Sequence, residues 1–255
     1  MIVLGVLGHG MELVGGRYIS TLYRLVYLFH MPAFVLVTGY FAQKQPQPRV
    51  GGLVAQYLVF QTLYLLFDRF VLGGNTPFTY TTPYWILWFL VSVILWKVIA
   101  PLLARCPFGA VLAVAVALAV LAGYDHSLSR FLSLSRTLVF FPFFWLGYHA
   151  KKQHFERLRR LPAWLPLLAF GASFVALRAM PRLPVLFLYG ATPYQTAQMQ
   201  GPGAGLSRLA CLGWGFVLVC CFFALVPAGK TVFSALGQRT GQVFLLHGFV
   251  IRYLG

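Results

Sequence analysis

Long apolar runs, separated by short polar or basic segments, make up almost the whole chain of 255 residues. Each run favours a helix, because about 20 apolar residues in a helix cross a bilayer with every backbone hydrogen bond made internally. Segments rich in glycine and proline separate the runs, since neither residue continues a helix well. The pattern predicts nine helices, at about residues 1–14, 25–42, 53–71, 83–104, 108–124, 131–148, 163–180, 206–226 and from 240 into the C-terminus.

The first run, 1–14, is too short for a complete span. At 1.5 Å per residue it reaches about 21 Å, less than the roughly 30 Å of a hydrocarbon core. We therefore expect the first helix to be truncated at its beginning, and the last helix, which stops soon after His247, to lack its end. The sequence predicts an all-α, polytopic integral membrane helical bundle that forms one domain over residues 1–255.

The composition excludes a soluble globular domain. Hydrophobic residues make up 60% of the chain and charged residues only 9%, with a mean hydropathy of +0.78, whereas soluble domains carry roughly 25% charged residues. The net charge of +16 comes from basic residues in short loops, which suits lipid headgroups and membrane orientation. Because no basic stripe with interleaved aromatic residues lies on a soluble face, nucleic acid is not an expected partner.

Orientation and connectors follow from the same pattern. The most basic loop, 151–160, predicts a cytoplasmic position for itself and hence for the N-terminus. The segment 45–49 alternates glutamine and proline and continues no helix. The long connector 181–205 is expected to include a re-entrant or interfacial piece.

Pro83 is predicted as a first-turn proline, and Trp85 and Trp88, just after it, suit an aromatic belt at the membrane interface.

Few residues can carry chemistry. The four carboxylates are scattered, which argues against paired-acid hydrolysis, a proton relay of acids and a carboxylate-rich metal site. The four cysteines show neither the spacing of a zinc site nor that of a disulfide framework, and the chain holds no G-x-S-x-G nucleophile motif. The carboxylates are Glu12, Asp68, Asp125 and Glu156, and the cysteines are Cys106, Cys211, Cys220 and Cys221.

Three histidines lie within apolar runs, where a titratable side chain is costly unless it faces a partner or a wet cavity. His9 is flanked by two glycines, which leave room for a ligand beside its ring. His30 precedes Pro32, expected to bend the helix locally, and Gly39, expected to allow close approach of a neighbouring backbone. His247 lies in the last run. Each ring suits either a general base or a packing histidine bonded to a neighbouring helix.

Arg136 stands near the start of the sixth run, in SLSRTLVFFPFF. An arginine at this position either extends along the helix to the membrane surface or binds an anionic group such as a phosphate. The sequence leaves both alternatives open.

Six stretches of the chain match the motifs of a known family in the same order. They are VLGHGMEL (6–13), YLFHMPAFVLVTGYF (27–41), VAQYLVFQ (54–61), YWILWFLVSVILWK (84–97), SRTLVFFPFFWLGYHAKK (135–152) and ALGQRTGQVFLLHGF (235–249). On these residues the chain resembles the membrane-bound acyltransferase type 3 family, especially its branch of fucose 4-O-acetylase-like sugar acetyltransferases. The resemblance covers most of the chain. The combination of FHMP and TGYF with LWFL and FFPFFWLGY is its most specific part.

The resemblance implies a multi-pass protein of about ten helices in a bacterial inner membrane, which takes acetyl-CoA from the cytoplasm and O-acetylates a carbohydrate. His9 matches the family's essential histidine. The resemblance thus implies that His9 acts as general base on the acceptor hydroxyl, with an acyl-carrying nucleophile as the alternative. His30 and Arg136 match recurrent positions that line the cavity for donor or acceptor. Trp88 and His247 are expected to line it with them.

The sequence departs from the family at its first helix. A basic residue about ten positions before the essential histidine, and an acid near it, would fall ahead of Met1. The residues that bind acetyl-CoA are not identified, and no metal is expected. Two rival functions remain: a transporter or channel with His9, His30 and His247 along a permeation path, and an inactive family member that acts as a scaffold. A transporter would be expected to show internal repeats, and the sequence shows none.

Overall fold

The computed structural model describes residues 1–45, 50–128, 131–180, 183–229 and 234–255, and the regular secondary structure within these ranges is helical. Single turns of 3₁₀ helix at Trp85–Leu87 and Phe131–Ser133 lead into α4 and α6. The helices are α1 (Ile2–Met11), α2 (Arg17–Ala42), α3 (Gly51–Phe70), α4 (Trp88–Leu103), α5 (Phe108–Leu121), α6 (Leu134–Tyr148), α7 (Lys152–Leu158), α8 (Trp164–Ala179), α9 (Val185–Tyr189), α10 (Pro202–Leu225), α11 (Ser234–Gln238) and α12 (Thr240–Leu254).

Every predicted apolar run contains a helix, so the all-α prediction is confirmed for the described residues. Nine membrane spans are not confirmed. In the part of the chain that the structure describes, four helices are both long and apolar enough to cross a bilayer, whereas α1, α5 and α8 are apolar but shorter. The four are Arg17–Ala42, Trp85–Leu103, Phe131–Tyr148 and Pro202–Leu225.

Large apolar side chains cover much of the outer surface. On α8, Leu167, Leu168 and Val175 are 59%, 60% and 67% exposed. Water disfavours an apolar surface of this kind, whereas hydrocarbon does not. This surface, together with the long apolar helices, is compatible with a multi-pass membrane protein.

Two predicted connectors contain short helices. Residues 152–158 of the basic loop form α7, supported by an ion pair one turn apart in which Nζ of Lys152 lies 3.3 Å from Oε1 of Glu156. The connector 181–205 contains α9, and α10 begins inside it at Pro202, a proline suited to a first helical turn. Of the other predicted connector residues, 46–49 and 181–182 lie outside the described residues.

The prediction for Pro83 is wrong. The fourth helix begins with the 3₁₀ turn at Trp85, and Tyr84 ahead of it has extended backbone geometry. Pro83 therefore precedes the helix instead of forming its first turn. The amide of Tyr84 donates to Oε1 of Gln61 at 2.8 Å, which holds this approach against α3.

Helix α2 is the centre of the bundle and packs against α1, α6, α8 and α10. Its closest neighbour is α6, where two glycines remove the side chains between the backbones. A Cβ atom at Gly39 would overlap the carbonyl oxygen of Phe144, and one at Gly147 would overlap that of Leu36. The close approach expected at Gly39 is therefore confirmed. The helix runs through Pro32 as one element, Arg17–Ala42.

Helix α12 is held beside the bundle by α3. The ring of Tyr64 stacks on that of Phe249 with 4.0 Å between centroids, and the Tyr64 hydroxyl donates to the carbonyl of Leu245 at 2.9 Å. Tyr64 is fully buried, so its hydroxyl needs such a partner. These contacts place His247, two residues from Leu245, next to α1.

Candidate active site

The imidazole of His9 contacts the carboxylate of Glu12 at the end of α1. Nδ1 of His9 lies 3.0 Å from Oε1 of Glu12. Residues three positions apart share one face of a helix, which accounts for the contact. An ionised carboxylate can only accept a hydrogen bond, so Nδ1 carries the ring proton and Nε2 keeps its lone pair. His9 is thus held in the tautomer in which Nε2 can accept a proton.

Three tyrosine hydroxyls lie within hydrogen-bond distance of the same carboxylate oxygen of Glu12. The distances from the hydroxyls of Tyr23, Tyr27 and Tyr189 are 2.6, 3.2 and 3.4 Å. The hydroxyls of Tyr23 and Tyr189 also hydrogen-bond to each other, and since each carries one proton, one of the two donates to Glu12 and the other to its tyrosine neighbour. Burial raises the pKa of Glu12, but the hydrogen bonds from His9 and the tyrosines outweigh it and hold that pKa below its ordinary value. Glu12 is therefore ionised at neutral pH and can stabilise a protonated His9.

His30 lies inside α2 and is 4% exposed. Its Nδ1 is 3.0 Å from the carbonyl oxygen of Val26, and since a carbonyl only accepts, Nδ1 carries the proton. Its ring centroid lies 5.0 Å from that of Tyr27. The ring therefore faces the bundle interior, one turn of α2 beyond the tyrosine that contacts His9.

His247 presents an unpaired nitrogen to the interior. Its Nδ1 lies 2.9 Å from the carbonyl oxygens of both Val243 and Phe244, which fixes the proton on Nδ1. Nε2 is buried and has no hydrogen-bond partner among the described residues. The ring centroids of His9 and His247 are 5.6 Å apart. Two imidazoles from the first and last helices thus meet inside the bundle.

Arg136 lies against aromatic rings at the start of α6. Its guanidinium carbon is 4.9 Å from the ring centroid of Trp88 and 6.0 Å from that of Tyr189. Trp88 is 9% exposed, so the interface belt expected for it is wrong. Because α4 turns Trp88 inward against Phe140 and Arg136, its indole lines the interior. Arg136 lines both the outer and the middle cavity described below.

Trp85, also expected in the interface belt, covers His9. The two ring centroids are 4.6 Å apart. The backbone of Trp85 has φ of 36°, in the left-handed region that a bulky residue rarely adopts. Such conformations are costly, and they persist where surrounding structure enforces them, often at functional sites. Here the strained turn at the start of the fourth helix directs the indole onto the imidazole.

Four cavities follow one another through the bundle. The outer cavity, about 350 Å³, shares Trp85, Arg136 and Tyr189 with the middle cavity, about 90 Å³. The middle cavity shares His9 and His30 with the lower cavity, about 50 Å³, which is also lined by His247. The lower cavity shares Met1, Ile2 and Phe34 with the wide cavity, about 800 Å³ and mostly apolar.

The series runs from one end of α12 to the other. Arg252, near the end of this helix, lines the outer cavity, and Thr240, at its beginning, lines the wide cavity. The histidines lie between these ends. All five residues predicted to form the site, His9, His30, Trp88, Arg136 and His247, line the middle or the lower cavity.

Comparisons of the chain with models of protein families, with curated proteins and with solved structures found no match. The resemblance to membrane-bound acyltransferases therefore rests on the sequence stretches that suggested it.

Sequence reasoning missed the residues that surround His9. The sequence shows Glu12 as one of four scattered carboxylates, although its three-residue spacing from His9 is a readable signal. Tyr23 and Tyr27 carried a weaker signal, one helical turn apart on α2. Tyr189 carried none, because it lies 177 positions from Glu12 in the chain.

Proposed function

We propose that this protein is an integral membrane O-acyltransferase that moves an acetyl group from acetyl-CoA to a hydroxyl of a carbohydrate, in a bacterial inner membrane. The observation that carries the proposal is the pairing of His9 with Glu12 where two cavities meet. A histidine whose other nitrogen is bound to a carboxylate is a recurring arrangement for a general base. The choice of acetyl-CoA and of a carbohydrate comes from the sequence resemblance.

In the proposed reaction, Nε2 of His9 takes the proton of the acceptor hydroxyl. The oxygen attacks the thioester carbonyl, and the tetrahedral intermediate collapses with cleavage of the carbon–sulfur bond. The CoA thiolate leaves and takes the proton from His9, which restores the neutral imidazole. Glu12 stabilises the imidazolium between these two proton transfers. The guanidinium of Arg136, which lines the middle cavity, is suited to stabilise the negative charge on the carbonyl oxygen.

Donor and acceptor would approach from opposite ends of the cavity series. The wide cavity lies beside residues 41–45, at the end of the bundle predicted to face the cytoplasm. Its apolar walls suit the pantetheine arm of acetyl-CoA, and Lys97 on its wall offers a positive charge for the phosphates. The outer cavity, at the other end, would receive the carbohydrate. The donor then reaches His9 from the wide cavity, and the acceptor reaches it from the outer cavity.

The same cavity series favours a second candidate function, a permeation path. Three histidines line its narrowest part. The lower cavity, at about 50 Å³, is far smaller than the roughly 300–1,000 Å³ of ligand pockets. A cavity of this volume suits protons or a small solute, not a sugar.

Two assays on the same proteoliposomes separate these candidates. In the first, acetyl-CoA labelled in the acetyl group is supplied with a panel of glycans, and label is measured in the glycan together with the released thiol. In the second, proton flux is measured after a pH jump. The acyltransferase proposal expects one thiol released for each acetyl group transferred, and no flux above that of protein-free vesicles. Flux without transfer would support the permeation path and contradict the proposal.

A further inference from the structure

The outer cavity is a polar compartment beyond the histidine site. At about 350 Å³, it falls within the range of ligand-sized pockets. Two arginines, Arg136 and Arg252, line it together with several hydroxyl groups, and none of its described lining residues is a carboxylate. The hydroxyl-bearing residues are Thr76, Thr82, Tyr84, Ser133, Tyr189 and Thr192.

Arg252 is held in place from behind. Its Nε donates to the hydroxyl of Tyr84 at 3.2 Å, and its Nη2 lies 3.7 Å from Oδ1 of Asp68. Asp68 does not line the cavity and is itself fixed by hydrogen bonds from the Tyr84 hydroxyl at 2.8 Å and the Thr76 amide at 3.2 Å. The carboxylate therefore orients the guanidinium, while 44% of the Arg252 side chain remains exposed to a ligand.

Thr192 supplies a second, independent observation. Thr192 is 7% exposed, and its hydroxyl has no hydrogen-bond partner among the described residues. Buried hydroxyls are normally paired, since an unpaired one loses its bond to water without replacement. Thr192 lines the outer cavity, so a polar ligand there would satisfy it.

We propose that the outer cavity binds an acceptor that carries an anionic group, a sugar acid or a sugar phosphate, with Arg252 on its charge and Thr192 on a sugar oxygen. Guanidinium groups bind carboxylates and phosphates through paired, charge-assisted hydrogen bonds. That the bound sugar is the acceptor rests on the proposed acetyl transfer. It narrows the substrate class from carbohydrates in general to acidic ones.

Equilibrium binding to the full chain in nanodiscs, without acetyl-CoA, tests the inference separately from transfer. The probes are methyl glucuronide, glucose 6-phosphate and the neutral methyl glucoside. The wild type is expected to bind at least one acidic sugar about tenfold more tightly than the neutral one, with a preference that weakens in salt. Tighter binding of the glucuronide indicates a carboxylate as the natural group, and tighter binding of glucose 6-phosphate indicates a phosphate.

Four variants locate the effect. Arg252→Gln is expected to remove most of the preference for acidic sugars, and Arg252→Lys to retain part of it. Arg105→Gln, which removes an exposed charge in the loop after α4, is expected to leave binding unchanged. Thr192→Val, which preserves the side-chain shape, is expected to weaken binding of acidic and neutral sugars alike.

Equal affinity of the wild type for the acidic and neutral sugars would overturn the inference. So would an Arg252→Gln protein that is folded and keeps the full preference. Neither result bears on acetyl transfer, which is measured with acetyl-CoA and any glycan that accepts label.

Discussion

Nδ1 of His9 lies 3.0 Å from Oε1 of Glu12, and the two side chains come from consecutive turns at the end of one helix. The histidine and its carboxylate therefore form one local unit, while the tyrosines that complete the site come from α2 and α9. A proton on His9 places an imidazolium directly against an ionised carboxylate.

Glu12→Gln removes the charge that stabilises a protonated His9 and frees the ring to adopt the other tautomer. Loss of the corresponding carboxylate in a histidine-based triad costs up to about 10⁴-fold in rate. Because Glu12 is partly exposed, we expect a smaller loss of about 100-fold in acetyl transfer, with the bundle still folded. The measurement is the initial rate of label transfer from acetyl-CoA in membranes.

Glu156→Gln is the matched control, because Glu156 makes a solvent-exposed ion pair with Lys152 on α7. It is expected to leave the rate unchanged. Equal rates in the two glutamine variants would show that Glu12 has no part in the reaction.

The depressed pKa of Glu12 links stability to pH. A carboxylate with a lowered pKa in the folded state stabilises the fold above its unfolded pKa and loses that contribution as pH falls through the folded pKa. The wild type should therefore melt at a higher temperature than Glu12→Gln at about pH 7, and the difference should shrink as the pH falls below the ordinary glutamate pKa of about 4.3 and vanish below the lowered pKa of the folded state. Thermal unfolding of the detergent-solubilised proteins measures this. A difference that persists unchanged at low pH would refute the assignment of an ionised Glu12.

The contact of α2 with α6 depends on Gly147. Gly147→Ala places a Cβ atom against the Leu36 carbonyl, so the two helices must separate. Overpacking of this kind costs about 1–3 kcal/mol, which should appear as a lower melting temperature. Gly171→Ala on α8, where no neighbouring atom lies within 4 Å, is the control and should melt at the same temperature or higher. Equal destabilisation by both substitutions would contradict the close packing.

Trp85 separates the outer cavity from the middle one and covers His9. Trp85→Ala should admit water to the base and raise the fraction of acetyl-CoA that is hydrolysed instead of transferred. The measurement is the ratio of thiol released to acetyl group found in the glycan. Trp164→Ala, which removes an exposed indole at the start of α8, should leave this ratio unchanged. A wild-type ratio in the Trp85 variant would exclude a role for the indole in excluding water.

The sequence was sufficient to predict the longer helices, because the length of an apolar run is a strong signal. It was not sufficient for the start of the fourth helix, where Tyr84 is bonded to Gln61 of α3 and the helix begins two residues after Pro83. That hydrogen bond joins residues far apart in the chain, so it produces no periodic pattern in the sequence. The same applies to α9, whose five residues are too few to show a period.

The histidines of the site could be predicted because titratable residues are rare in apolar segments. The residues around them could not. The chain has 13 tyrosines, and only the packing of α2 and α9 distinguishes the three that bind Glu12 from the others. Trp88 shows the same limit, since a tryptophan near a helix start suits an interface belt and a cavity wall equally well until the rotation of α4 is known.

One comparison of initial rates decides whether His9 is the base of the proposed acetyl transfer. Initial rates of label transfer from acetyl-CoA to glycan are measured in membranes that contain equal amounts of wild type, His9→Ala and His126→Ala, the last of which changes an exposed histidine. The account predicts transfer by the wild type and the His126 variant, and a loss of at least about 100-fold in His9→Ala. Transfer by His9→Ala at a rate close to that of the wild type would contradict it.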